Sequence, residues 1–280
     1  MSPTASPTPI APVHVISHDG TEIGVWKSGT GPPLVMVHGS MADHTTLARV
    51  VPLLEPQLSV YAVDRRGRGV SGDAANYAIE REYEDIAAVV DWIAEEIDTS
   101  VALYGHSFGA TCALGTVLRS PNVGRLVLYE PGFRDVFRYP AGLLDRITAL
   151  VTTGRHEEAL EVALRERAGA SAAELATLRA LPSWPSRVAA AGAIPRELHL
   201  DATLAFDPSA HATCTTPTLL LLGERSPAGQ RSIVHAIDAA LSDSGIVELP
   251  GQKHLAQMTA PHLVADALLQ FLVDRGALEP

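Results

Sequence analysis

Positive charge is scarce in this chain: 21 Lys and Arg stand against 32 Asp and Glu, a formal net charge of −11. Nucleic acid and acidic membrane surfaces repel such a polyanion, so neither is expected as a partner. Cysteine is nearly absent as well. Cys112 and Cys214 cannot build a disulfide framework, and Cys112 reads as small core packing on a helix. The first residues, Met1 to Pro9, have neither a basic segment nor an apolar one. They read as a disordered tail over 1–11 rather than a signal peptide. Long apolar spans are also lacking, with one apparent exception at Val101–Leu118, and that one has a Gly-His-Ser-Phe-Gly turn in its middle. A turn there argues for a buried strand and helix instead of a membrane span. No internal repeat interrupts the chain. At 280 residues it is long enough for one large domain with an insertion, and a soluble cytoplasmic protein is expected.

What is present is an alternation. Val13–Ser17 and Glu22–Lys27 flank the turn signal His18-Asp19-Gly20-Thr21 and read as a hairpin. The continuous apolar run Leu34–Val37 predicts a buried strand, and further strands are expected at Leu58–Val63, Val101–Tyr104, Val123–Glu130, Thr218–Leu222 and Gly245–Leu249. Between them a helix is predicted over Thr45–Leu54. Another is predicted over Glu80–Ile97, where Tyr83, Ile86, Ala87, Val90, Ile93, Ala94 and Ile97 form one apolar face. Glu82, Glu84, Asp91, Glu95 and Glu96 are assigned to the opposite, solvated face. Helices are also expected after Gly109, near Arg231–Leu241 and over Pro261–Val273. Strands alternating with helices imply a mostly parallel sheet with helices on both faces. The stretch 133–212 breaks this rhythm with Ala- and Leu-rich helical segments and no strand pattern. It reads as a helical insertion between two core segments, 12–132 and 213–280.

One stretch carries chemistry. The strand ending at Tyr104 runs into Gly105-His106-Ser107-Phe108-Gly109 and then an Ala-rich helix. Gly-x-Ser-x-Gly alone is a weak signal. Between a strand and a helix it predicts a serine at the apex of a strained turn, with small neighbours because the flanking segments nearly touch. Two decoys are set aside. Gly67-Arg68-Gly69-Val70-Ser71-Gly72 has the glycine spacing of a dinucleotide site but opens into a loop rather than a helix. His156-Glu157-Glu158 lacks the second histidine a zinc helix needs. No metal and no cofactor are expected.

Four motifs in order carry a family resemblance. His38-Gly39-Ser40 follows one strand, Asp64-x-Arg66-Gly67-x-Gly69-x-Ser71 the next, then Gly105–Gly109, and finally Gly251-Gln252-Lys253-His254. The chain resembles an α/β-hydrolase of the serine-nucleophile branch, with an eight-stranded sheet and a helical cap inserted after the sixth strand. The resemblance implies Ser107 as nucleophile, His254 as general base, and the backbone N–H groups of Ser40 and Phe108 as the oxyanion hole. It also implies an acid at Ser226, where this chain has serine instead of Asp. Two glutamates are the candidate substitutes. Glu130 ends the sixth strand, where certain haloalkane dehalogenases in the family take their acid; Glu224 is the alternative on the seventh-strand loop. Glu130 is preferred, and a dyad with no acid is left open. The implied reaction is cleavage of an ester, lactone or thioester of a small apolar molecule. A cofactor-free lyase, cyclase or carbon–carbon hydrolase, and a non-catalytic ligand binder, are the alternatives. Arg134, Arg138, Trp184 and Glu197 are among the inserted residues that could meet substrate, and a homodimer is left open.

Overall fold

The computed structural model describes residues 11–134, 136 and 139–273. The tail expected over 1–11, apart from Ala11, and Arg138 lie outside the described residues. Eight strands form one sheet in the order β1-β2-β4-β3-β5-β6-β7-β8. They are β1 Val13–Ile16, β2 Glu22–Ser28, β3 Pro33–Val37, β4 Ser59–Val63, β5 Val101–His106, β6 Val123–Tyr129, β7 Thr218–Gly223 and β8 Ser244–Leu249. β1, β2 and β4 pair antiparallel, and every later pairing is parallel.

The central strands are apolar on both faces because both faces are covered. Alternate residues Val35, Val37, Leu103, Leu126, Leu128, Leu220 and Leu222 enter one core. It is closed by α2 (Ile79–Ile97), α3 (Phe108–Thr116) and α10 (Ala228–Ala240). Their neighbours Leu34, Met36, Val60, Tyr104, Val127, Leu219 and Leu221 enter the opposite core, against α1 (Val51–Leu54) and α12 (Pro261–Leu272). Each fully buried Leu or Val contributes roughly 1.5–3 kcal/mol, so the two cores fix the strand register. A shift of one residue would exchange their contents.

Two helical expectations need correction. Thr45–Leu54 is a single 3₁₀ turn at His44–Leu47 and then the one-turn α1. Asp43 caps the first piece through Thr45 N–H, and Pro52 starts the second. α2 has the expected span, but Glu82 is fully buried and Asp85 nearly so, while Ile97 is 41% exposed. Ion pairs to Arg65 and Arg66 draw the two carboxylates inward.

Between β6 and β7 lie six α-helices among the described residues, α4 Leu143–Thr152, α5 His156–Glu166, α6 Ala172–Arg179, α7 Trp184–Ala189, α8 Ile194–Thr203 and α9 Pro208–His211, with a 3₁₀ turn at Ala190–Ala193 joining α7 to α8. Leu143, Ile147, Leu160, Leu164, Leu175, Trp184, Ile194 and Leu198 pack with each other, with Met41 from the loop after β3 and with Met258 of the short helix α11 (Ala256–Thr259). The inserted helices therefore have their own apolar cluster, which closes onto the loop after β3 and onto α11. No helix among the described residues is long and apolar enough to cross a membrane.

Candidate active site

Adjacent parallel strands end at one level, and this places the site. His106, the last residue of β5, pairs with Tyr129, the last of β6, so Ser107 and Glu130 leave the sheet side by side. Ligands of open α/β sheets bind outside these carboxyl ends. Ser107 has φ +54° and Glu130 φ +48°, a left-handed conformation that L-residues avoid. Ser107 N–H is held by Tyr129 O at 2.8 Å, and Glu130 N–H by Leu221 O at 3.3 Å. A β-carbon on Gly105 would lie 2.5 Å from Ala110 Cα, and one on Gly109 would lie 2.5 Å from Val37 O. The glycines of the turn are therefore steric requirements: strand, turn and α3 touch backbone to backbone.

The histidine arrives from the loop after β8. Tyr129 OH donates to Lys253 O and accepts from Ala256 N–H at 3.1 Å. His106 Nε2–H donates to His254 O at 2.8 Å. Both anchors come from the ends of β5 and β6, so the loop is fixed to the strands that carry Ser107 and Glu130. His254 Nδ1 lies 2.7 Å from Glu130 Oε2, whose side chain is fully buried. The other carboxylate oxygen accepts from Gly223 N–H at 2.7 Å and from the Ser226 hydroxyl. These donors fix the orientation of the carboxylate. Glu224 points elsewhere, accepting from Gly251 N–H at 2.5 Å. No hydrogen bond joins Ser107 Oγ to His254 among the described residues; such contacts commonly tighten only with substrate bound.

Behind Ser40 and Phe108 lies a buried polar layer that sequence reasoning did not anticipate. His38 Nε2 accepts from Arg65 N–H at 3.2 Å, leaving Nδ1–H to donate to Gly39 O at 2.8 Å. Burial and the nearby Arg65 and Arg68 guanidiniums push His38 down to about 4, so the ring is neutral. Arg65 also donates to Gly39 O, and it pairs with Glu82 and with Glu197 of α8. Burial opposes the Glu82 charge, but Arg65 and Arg68 outweigh it and hold the carboxyl at about 2. Arg167 pairs with Asp201 and reaches Ser40 Oγ at 3.5 Å. Arg187 of α7 donates to Met41 O at 3.2 Å, and burial lowers its guanidinium to about 10. Of the inserted residues named from sequence, Glu197 belongs to this layer. Trp184 instead packs within the inserted helices and donates to Glu157 at 2.9 Å.

One acidic cluster also escaped sequence spacing. Asp43, His44 and Asp64 bring potential ligand atoms within 4.8 Å of one another. Their oxygens are committed to the protein: Asp64 accepts from Trp26 Nε1 at 2.9 Å and His44 N–H at 3.0 Å, and Asp43 from Thr45 N–H at 3.0 Å.

Comparison with known proteins identifies the family. Residues 34–267 match the model of the alpha/beta hydrolase family. A 2-(acetamidomethylene)succinate hydrolase from Mesorhizobium japonicum is 24% identical, over 89% of this chain and 91% of that protein. A 2-hydroxymuconate semialdehyde hydrolase from a Pseudomonas species is 32% identical, over 58% of this chain and 71% of its own. An alpha/beta hydrolase crystal structure from Sphaerobacter thermophilus superposes with a TM-score of 0.80 at 31% identity, covering 92% of this chain and 99% of that one. The chain belongs to the alpha/beta hydrolase family.

Proposed function

We propose that the protein is a serine hydrolase that cleaves an ester, lactone or thioester of a small molecule through an acyl-enzyme on Ser107. The observation that carries this reading is the 2.7 Å contact between His254 Nδ1 and the buried Glu130 carboxylate at the level of the Ser107 turn. A carboxylate on Nδ1–H fixes the tautomer that leaves Nε2 as the base. His254 takes the Ser107 proton as Oγ attacks the carbonyl carbon. The oxyanion that forms is met by Ser40 N–H and by Phe108 N–H, which opens α3 and adds the positive end of its dipole. His254 then protonates the leaving group, and a water deprotonated by His254 releases the acid.

The inserted helices act in this reading as a cap whose apolar cluster favours a carbon-rich substrate. The likeness to the 2-hydroxymuconate semialdehyde hydrolase favours a second reading, hydrolysis of a carbon–carbon bond beside a ketone by the same residues. A fluorophosphonate probe with peptide mass spectrometry tests the first. Ser107 is expected to carry the label, and Ser107→Ala to lose both label and turnover of p-nitrophenyl esters. An unlabelled wild-type protein, or full activity in Ser107→Ala, rejects it.

A further inference from the structure

We propose that Arg65 is a positioning residue for oxyanion stabilisation, and that Glu197 of the inserted helix α8 holds it in that role. The proposal rests on the acyl-enzyme reading above, in which Ser40 and Phe108 donate to the oxyanion. Arg65 stands between Asp64 and Arg66, directly after β4, and its side chain is fully buried. Its Nη1 donates to Gly39 O at 3.1 Å. That carbonyl and the Ser40 N–H belong to one peptide plane and point in opposite directions. Fixing the oxygen therefore aims the N–H. His38 Nδ1–H is a second donor to the same oxygen at 2.8 Å, and two donors on a carbonyl polarise its amide into a stronger donor on the far side.

The same guanidinium lies over the Phe108 ring, 4.5 Å from its centroid. One planar group thus contacts the Gly39–Ser40 peptide, through Gly39 O, and the ring of Phe108. Its plane is set by three bonds to carboxylates: Nε and Nη2 to Glu82 at 3.1 and 2.9 Å, and Nη2 to Glu197 at 2.8 Å. Glu197 also binds Arg68 Nη2 at 2.5 Å, so the seating of α8 is read directly by the layer beneath the oxyanion loop.

The simpler account is a buried clamp that only fastens α8 to the core. That account covers the carboxylate bonds but not the direction of Nη1. Arg65 aims Nη1 at a neutral carbonyl, Gly39 O, rather than at either carboxylate.

The test uses the full-length protein with p-nitrophenyl esters, burst titration of active sites, and an alkyl boronic acid as a tetrahedral mimic. Removing one oxyanion donor outright costs about 10²–10³ in kcat, so losing its alignment is expected to cost about tenfold in Glu197→Gln and up to about a hundredfold in Arg65→Met. KM is expected to stay within about twofold, and boronate affinity to fall by the same factor as kcat. Arg65→Lys keeps the charge but not the planar fork, and is expected to recover little. Should Arg65→Met fail to fold, Glu197→Gln and Arg65→Lys decide. A lower melting temperature with unchanged kcat per titrated site and unchanged boronate affinity overturns the proposal and leaves the acyl-enzyme reading intact. A wild-type protein with no fluorophosphonate label on Ser107 overturns both.

Discussion

Ser226 donates its hydroxyl proton to Glu130, and the other oxygen of that glutamate lies 2.7 Å from His254 Nδ1. The position where the family resemblance implies an acid is thus occupied by a residue that orients an acid from the neighbouring strand. Gly223 completes the arrangement by donating its N–H to the same Glu130 oxygen. A β-carbon at Gly223 would come within 2.7 Å of Ser226 Oγ and 2.8 Å of Gln252 O, so the loop after β7 is tightened around Glu130.

This relationship predicts unequal effects for the two glutamates. In Glu130→Gln the amide can no longer hold an imidazolium by charge, and kcat on p-nitrophenyl esters is expected to fall about 10²–10⁴-fold. Ser226→Ala removes one of the donors to Glu130 and is expected to cost about tenfold. Glu224→Gln loses only the bond to Gly251 N–H and is expected to stay within about twofold of wild type. Steady-state kinetics on the three variants checks the order. The assignment fails if Glu224→Gln is the variant that collapses.

The turn at Ser107 makes a prediction about stability rather than rate. Alanine at Gly105 would drive a methyl group into the α3 backbone, and alanine at Gly109 into the end of β3. Backbone cannot swing aside as a side chain can. Gly105→Ala and Gly109→Ala are each expected to lose about 3 kcal/mol or more, or to yield no soluble protein. Gly192, whose β-carbon would meet nothing within 4 Å, serves as the control, with Gly192→Ala within about 1 kcal/mol of wild type. Denaturant titration separates these outcomes. Equal midpoints for Gly105→Ala and Gly192→Ala would refute the close-approach argument.

The sheet could be read from residues such as Val35 and Leu103 because burial on both faces demands continuous apolar runs, and such runs are local in sequence. The same holds for the positions of Ser107, Glu130 and His254, each of which ends or follows one of those runs. What periodicity could not show was pairing at a distance. Glu82 fell on the polar face of α2 by spacing, yet it is fully buried because Arg65, 17 residues earlier, neutralises it. Glu197 is 132 residues from the same arginine, and nothing local marks it. The run Thr45–Leu54 failed for a different reason. Asp43 and Pro52 each start a new turn, and punctuation of that kind outweighed the apolar spacing.

Buried histidines give the last prediction, a loss of stability in mild acid. Burial and the neighbouring Arg65 and Arg68 lower His38 from the ordinary 6.5 to about 4. Burial, with His254 nearby, lowers His106 well below its usual value. Between about pH 6.5 and 4 the unfolded chain binds protons that the folded one refuses, so stability falls as pH falls through that window. For His38 alone the shift corresponds to about 3 kcal/mol. Glu82, held at about 2, contributes stability above its unfolded value near 4.5 and loses it only at lower pH. Burial raises Asp85 and Asp201, despite their arginine partners, and both oppose the trend. The net expectation is a falling urea midpoint from pH 7 to 5, with the two histidines outweighing the two aspartates. His38→Gln keeps a donor and an acceptor without a titrating group, and is expected to flatten that slope by about half. A midpoint that does not change between pH 7 and 5 in the wild-type protein would contradict two neutral buried rings.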